Sequence, residues 1–325
     1  MKSKLLFVGL FGLSFLFANA QNVQSNSSLT SGGDGAGSGG AGQNTYYGHE
    51  AGMSNTLGNH NTFVGNFSGK YNINWGNTFL GSYAGQSNTN GFANTFVGIA
   101  AGDETSGHSN TYVGGYTGYA NNDTHNTFLG MEAGNYSSGG YNVYVGLGAG
   151  EGTIGKGNVF LGIRSGFDQT IDGAFIVENY NYSQPAPLIK GDFGTGKVGI
   201  AVTDFPTTAG SVDVSKYKFF VKGGLLAEEI RVATTWADYV FEKDYQLPTL
   251  KEVEQHIAQN GHLINVPSGK QIEEDGISVG EMAKIQQEKI EELTLYIIEQ
   301  NKINEKQAEE LKELKKLVMG LVAKN

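Results

Sequence analysis

The chain has 325 residues, room for two or three domains, yet 49 are glycine, only 17% are charged and none is cysteine. A formal net charge of −10 argues against nucleic acid or anionic lipid as a partner, because both would be repelled. The lack of cysteine excludes disulfides and a lipid-modified cysteine anchor.

Residues 1–20 read as an export signal. Lys2 and Lys4 precede the apolar run Leu5 to Ala18, and Ala18-Asn19-Ala20 supplies an A-x-A cleavage site. The apolar run is shorter than the ~20 residues of a membrane-spanning helix, so no transmembrane segment is expected in the mature chain. A secreted or cell-surface location follows, with the charge moving from −10 to −12 once Lys2 and Lys4 are removed. Residues 21–43, rich in Ser, Gly and Asn, read as a flexible leader.

From residue 44 to 182 a nine-residue phrase, Asn-Thr-(Phe/Tyr)-(Val/Leu)-Gly-x-x-(Ala/Ser)-Gly, recurs about every 16 residues. It opens at Asn44, Asn61, Asn77, Asn94, Asn110, Asn126, Asn142 and Asn158, with a degenerate copy near Ala174. Extra residues occur only before Asn61 and Asn94. A fixed short period predicts an array of stacked coils.

Within each coil the phrase reads as a strand, where neighbouring side chains face opposite ways. The third position is aromatic from Tyr46 to Phe160, and the fourth is Val64, Leu80, Val97, Val113, Leu129, Val145 and Leu161 after Tyr47. Both rows are apolar, so the strand is expected to be buried on both faces. A 16-residue coil has one narrow interior and can bury one row. The fourth-position row is therefore the candidate core of an assembly, because closed cyclic symmetry gives each copy an equivalent partner. Glycines at the fifth and ninth positions fit tight corners. The first-position asparagines predict a hydrogen-bonded ladder. The segment after the ninth position, with Thr56, Thr89, Thr105, Ser137 and Thr153, reads as an outer polar strand and turn.

Asn-Thr-Phe-Val-Gly followed by Ala-Gly resembles the Val-Ala-Ile-Gly-x-x-Ala repeat of trimeric autotransporter adhesin heads, over roughly residues 44–178. That resemblance implies a mainly β solenoid, a left-handed parallel β-roll, with three chains side by side. No C-terminal membrane β-barrel pattern accompanies it, so self-transport is not implied.

Residues 183–233 read as a β linker, with runs at 197–200 and 217–221. Gly194-Thr195-Gly196-Lys197-Val198-Gly199-Ile200 and Tyr217-Lys218-Phe219-Phe220-Val221-Lys222-Gly223 resemble the linker of trimeric tail-fibre proteins that carry an intramolecular chaperone. Those chaperones cleave themselves with a serine beside Asp and Lys. Here Ala237 stands in the serine's place beside Asp238 and Lys243, so the nucleophile is missing and an uncleaved tail is expected. Residues 234–278 read as a mixed α/β neck, and residues 279–325 as a coiled-coil helix. Capping-box spacings at Thr249 and Ser278 mark two helix starts, and Asn260-Gly261 marks a stop. A heptad register places Ile290, Leu293, Ile297, Leu311, Leu314, Val318 and Leu321 in the seam, with Gln300, Asn304 and Gln307 interrupting it.

The expected function is an exported homotrimeric structural or adhesive fibre: a β-roll head on a helical stalk, without catalytic residues, cofactor or metal. Its expected partners are its own copies and a host, glycan or other extracellular surface. Phe67, Tyr83 and Tyr116 are candidates for exposed contact. The alternatives are an ice- or glycan-binding solenoid, on the row Thr45, Thr62, Thr78, Thr95, Thr111 and Thr127, or a degenerate self-cleaving chaperone. His49, His60, His108, His125, His256 and His262 show neither ligand nor triad spacing.

Overall fold

The Thr-Phe-Val phrase forms a three-residue strand in coil after coil, because β-branched and aromatic residues favour extended backbone and the following glycine ends it. The structure, a computed structural model, describes residues 23–25, 29–37, 42–179, 186–233 and 235–322. The expected export signal lies outside them. Strands β1 (Val23–Ser25), β2 (Leu29–Gly32), β3 (Asn44–Tyr47), β4 (Thr62–Val64), β5 (Thr78–Leu80), β6 (Thr95–Val97) and β7 (Thr111–Val113) are followed by β8 (Thr127–Leu129), β9 (Val143–Val145), β10 (Val159–Leu161) and β11 (Ala174–Val177). From β2 to β11 each strand pairs in parallel with the next, and equivalent positions face each other, as in Phe63↔Phe79 and Phe79↔Phe96. This is a parallel β-solenoid of about nine turns.

Its interior is one row of rings. Tyr46, Phe63, Phe79, Phe96, Tyr112, Phe128, Tyr144 and Phe160 are fully buried. Their centroids lie 4.7 to 5.2 Å apart in near-parallel stacks. The small eighth-position residues, Ala51 to Ser165, are buried beside them because a larger side chain would have no room. Two glycine rows let the coils close. A Cβ at Gly98 would sit 2.3 Å from the carbonyl oxygen of Gly114, and one at Gly102 would sit 2.3 Å from the Phe96 ring.

Polar ladders flank the rings. Each first-position asparagine accepts, through Oδ1, the backbone N–H of its counterpart one coil on, for example Asn110 from Asn126 at 2.8 Å. Its Nδ2 donates to a carbonyl in the corner before that counterpart, as from Asn110 to Asp123 at 2.9 Å. The expected ladder therefore forms, but it joins amide to backbone and not amide to amide. A second buried ladder runs through Asn55, Asn72, Asn88, Thr105, Asn121, Ser137 and Thr153. Thr105, Ser137 and Thr153 were expected on an outer strand and lie inside instead, because their side chains bond backbone carbonyls within the coil stack. Thr56 and Thr89, one position further, are exposed. The two extra residues fall in the exposed corners after Asn55 and Asn88, where the stack does not constrain the chain's length.

Both ends of the array are built differently from the expectation. Leu29–Gly32, in the expected flexible leader, is the first parallel rung, and Leu29 and Ala36 pack against the core. The reason is that the exposed end of an aromatic row needs an apolar cover. β1 adds to it antiparallel. At the other end β12 (Ile189–Asp192) and β13 (Lys197–Ile200) turn back antiparallel, and β16 (Phe219–Val221) pairs in parallel with β13. The expected linker strands thus continue the solenoid's sheet. Asp192 Oδ1 tightens their turn by accepting from the backbone N–H of Gly194 and Thr195, at 2.8 and 3.1 Å.

A second unit comprises residues 206–216 and 225 onward. It holds a hairpin, β14 (Thr208–Ala209) with β15 (Val212–Asp213), a 3-10 turn at Asp238–Phe241, and helices α1 (Leu250–Asn260), α2 (Gly269–Asp275) and α3 (Val279–Val322). Thr249 and Glu252 complete a capping box on α1, and Gly261 closes it in the left-handed conformation. Ser268 and Ser278 cap α2 and α3 through their hydroxyls. The neck, expected to mix strand and helix, carries only helical elements among its described residues, because Ser268 starts a helix where no periodic pattern is long enough to read.

Candidate functional site

Alternation along the strand puts the second and fourth positions outside wherever the third is buried. The fourth-position row, Val64, Leu80, Val97, Val113, Leu129, Val145 and Leu161, lies on the outer surface of the chain, with Leu80 and Leu129 about half exposed. Beside it, just past the glycine, a further row is exposed: Ile99, Met131, Leu147 and Ile163, with Gly115 among them. The threonines Thr62, Thr78, Thr95, Thr111 and Thr127 form the third row and are exposed as well. The nine rungs β3 to β11 span ~38 Å at ~4.8 Å per step. The fourth-position row keeps one apolar strip along that length, flanked by the threonines, and the sixth-position row widens it from Ile99 onward.

The sixth-position row was not read from the sequence. His49, Asn66 and Ser82 hide the pattern in the first copies, and it becomes apolar only from Ile99. The seventh position has its own signal: Glu50, Phe67, Tyr83, Ala100, Tyr116, Glu132 and Arg164 all adopt φ between 51° and 62°. No β-branched residue occurs there, as that backbone requires. Tyr83 and Tyr116 are exposed, whereas Phe67 is half-buried against Tyr83 and under Lys70.

A second aromatic stripe runs along the corner before the first position. Trp75, Phe92, His108, His125 and Tyr141 follow one another at centroid distances of 5.1, 4.4, 5.4 and 4.8 Å. Three of the four contacts are stacked, so these rings spend much of their faces on each other. Two array histidines thereby find a packing role. Among the described residues no group of three or more His, Asp or Glu side chains is placed to hold a metal.

Helix α3 carries the other candidate surface, and its first half has an inverted pattern. Glu288, Glu291 and Glu292 are buried, while Ile290, Leu293 and Ile297 are more than half exposed. The buried acids meet the segment around the 3-10 turn: Tyr239 donates to Glu288, Tyr245 to Glu292, and Tyr296 of α3 to the Pro248 carbonyl. Lys289 bridges Glu288 and Glu292, each at 2.9 Å. Burial by itself would raise the Glu288 carboxyl, but the Tyr239 hydroxyl and the Lys289 ammonium outweigh it and hold it below the usual carboxylate range. Further along α3, Leu311, Leu314, Val318 and Leu321 are exposed on the expected seam. Ala237, in the place of a cleaving chaperone's serine, is fully buried beside Val240.

No protein-family model, curated protein or solved structure matches this chain.

No helix among the described residues is long and apolar enough to cross a membrane. A repetitive structural or binding protein is what the solenoid is consistent with. Its two unpartnered apolar surfaces, one on the array and one on α3, are the features any functional reading must cover.

Proposed function

We propose that the chain is an exported homotrimeric fibre protein with a structural or adhesive role, presenting a β-roll head on a helical stalk. The observation that carries this reading is α3. A helix that buries three glutamates and exposes Ile290, Leu293 and Ile297 is at odds with a lone chain in water. In the heptad register the buried acids occupy the outer positions, wrapped by the chain's own neck, and the exposed residues occupy the inner ones. Further copies on the inner side resolve the inversion. The apolar face of the array asks for the same remedy, since a patch of that length is unusual on a soluble monomer. Three copies, and adhesion as the purpose, rest on the resemblance to adhesin heads; export rests on residues 1–20. Repetition suits such a role, because each coil presents the same surface to a repetitive target.

The test is the solution mass of the chain lacking residues 1–20, by sedimentation equilibrium. A mass of three chains supports the reading, and a monodisperse monomer refutes it. The in-register exposed threonines favour one competitor, an ice-binding face. That face would have to stay uncovered, so a monomer that inhibits ice recrystallisation would decide for it.

A further inference from the structure

Between β16 and the 3-10 turn the chain crosses residues 225–233, Leu-Leu-Ala-Glu-Glu-Ile-Arg-Val-Ala, and every one of them is exposed. Leu226 is 99% exposed, and Leu225, Ile230 and Val232 lie out with it. Among the described residues the amides of this stretch donate no backbone hydrogen bond, and Glu229 pairs with Arg231 at 3.7 Å. Yet the sequence has strand character: Glu229-Ile230-Arg231-Val232 alternates polar and apolar, with branched residues on one side and the ion pair on the other. Nine residues outside any helix or strand, with a bend at Glu228, leave four large apolar side chains in water, and pairing with another strand would cover them.

We propose that residues 225–233 form an interchain β-strand, pairing with the backbone of a second copy in the assembled protein. The inference rests on the homotrimer reading and names a further element that holds it together. The occupant is a second copy for two reasons. Among the described residues the segment pairs with no other strand, and it precedes α3, whose exposed seam itself asks for identical neighbours. In a closed cyclic assembly each copy's segment meets an equivalent neighbour, so every copy is paired in the same way. Ile230 and Val232 then turn inward with Leu226, and Glu229 and Arg231 stay at the rim.

Amide hydrogen exchange on the full chain tests this. In the assembled protein the amides of 226–233 should exchange about 100-fold or more slower than in an unstructured peptide. Ile230→Asp should abolish that protection while the circular dichroism of the array is unchanged. Unstructured-peptide rates at 226–233 in a protein whose mass is that of a trimer would overturn the strand and leave the trimer standing. A monomeric mass would overturn both. Where Ile230→Asp does not fold, exchange on the unaltered chain decides alone.

Discussion

Phe128 and Leu129 are neighbours in β8 that face opposite ways, so truncating each in turn separates the two kinds of burial. Phe128 is fully buried and stacks on Tyr112 and Tyr144 at centroid distances of 4.9 and 4.7 Å. Phe128→Ala removes a ring that neighbouring coils cannot collapse to replace, at a cost of about 3–5 kcal/mol. The loss is local to two coil interfaces, because a solenoid's stability is a sum of nearest-neighbour terms. It should therefore appear at every protein concentration. Leu129 is 48% exposed, so within one chain its truncation forfeits little. Fully burying a leucine is worth ~1.5–3 kcal/mol, which leaves ~1 kcal/mol per copy to be gained on assembly and ~3 kcal/mol across three copies. Leu129→Ala should then weaken association roughly a hundredfold while leaving the dissociated chain's unfolding in place. Urea titrations by circular dichroism at two concentrations tenfold apart, with sedimentation on each variant, read both effects. A Leu129→Ala loss that ignores concentration would refute the assignment of that row to an interface. A Phe128→Ala variant as stable as the parent would refute the ladder as the core.

Other perturbations probe other parts of the structure. Asn110→Ala strands the Asn126 N–H and the Asp123 carbonyl inside the stack and should cost about 2–4 kcal/mol in urea unfolding. Gly98→Ala must place a methyl 2.3 Å from the Gly114 oxygen at φ +137°, so loss of the middle coils is expected, seen as lost amide protection around residues 95–117. Glu288 has a lowered carboxyl pKa in the folded protein, so its contribution is complete at neutral pH and is lost as the pH falls below about 4. Tyrosine fluorescence of the neck should report this acid transition, and Glu288→Gln should remove it. Thr249→Ala deletes the capping box of α1 and should lower the stability of that helix by about 1 kcal/mol, read by amide exchange in residues 250–260.

Much of the array was legible because its period is short and its constraints repeat. An aromatic third position, a glycine fifth and an asparagine first recur in register, and each recurrence restates the same local demand: a ring that must be buried, a corner without a Cβ, a backbone amide that needs an acceptor. Thr105 and Ser137 are ambiguous in the sequence because a hydroxyl is compatible with either side of a coil. Only the carbonyls within reach, those of Asn121 and Gly134, decide for the inside. Leu29 reads as leader in the sequence because the Gly and Ser around it carry no period, and its place on the first rung follows from the open end of the ring row.

The sequence by itself determined the coil stack, the strand positions, the caps of α1 and the apolar character of the fourth-position row, because each depends on residues close along the chain or on a strict period. Tertiary structure decided that Thr105, Ser137 and Thr153 turn into the coil, that acids of α3 and not its apolar seam face the chain's own neck, and that residues 225–233 join no ladder among the described residues. Those outcomes depend on what space remains once coils and helices have packed, and no local pattern encodes that.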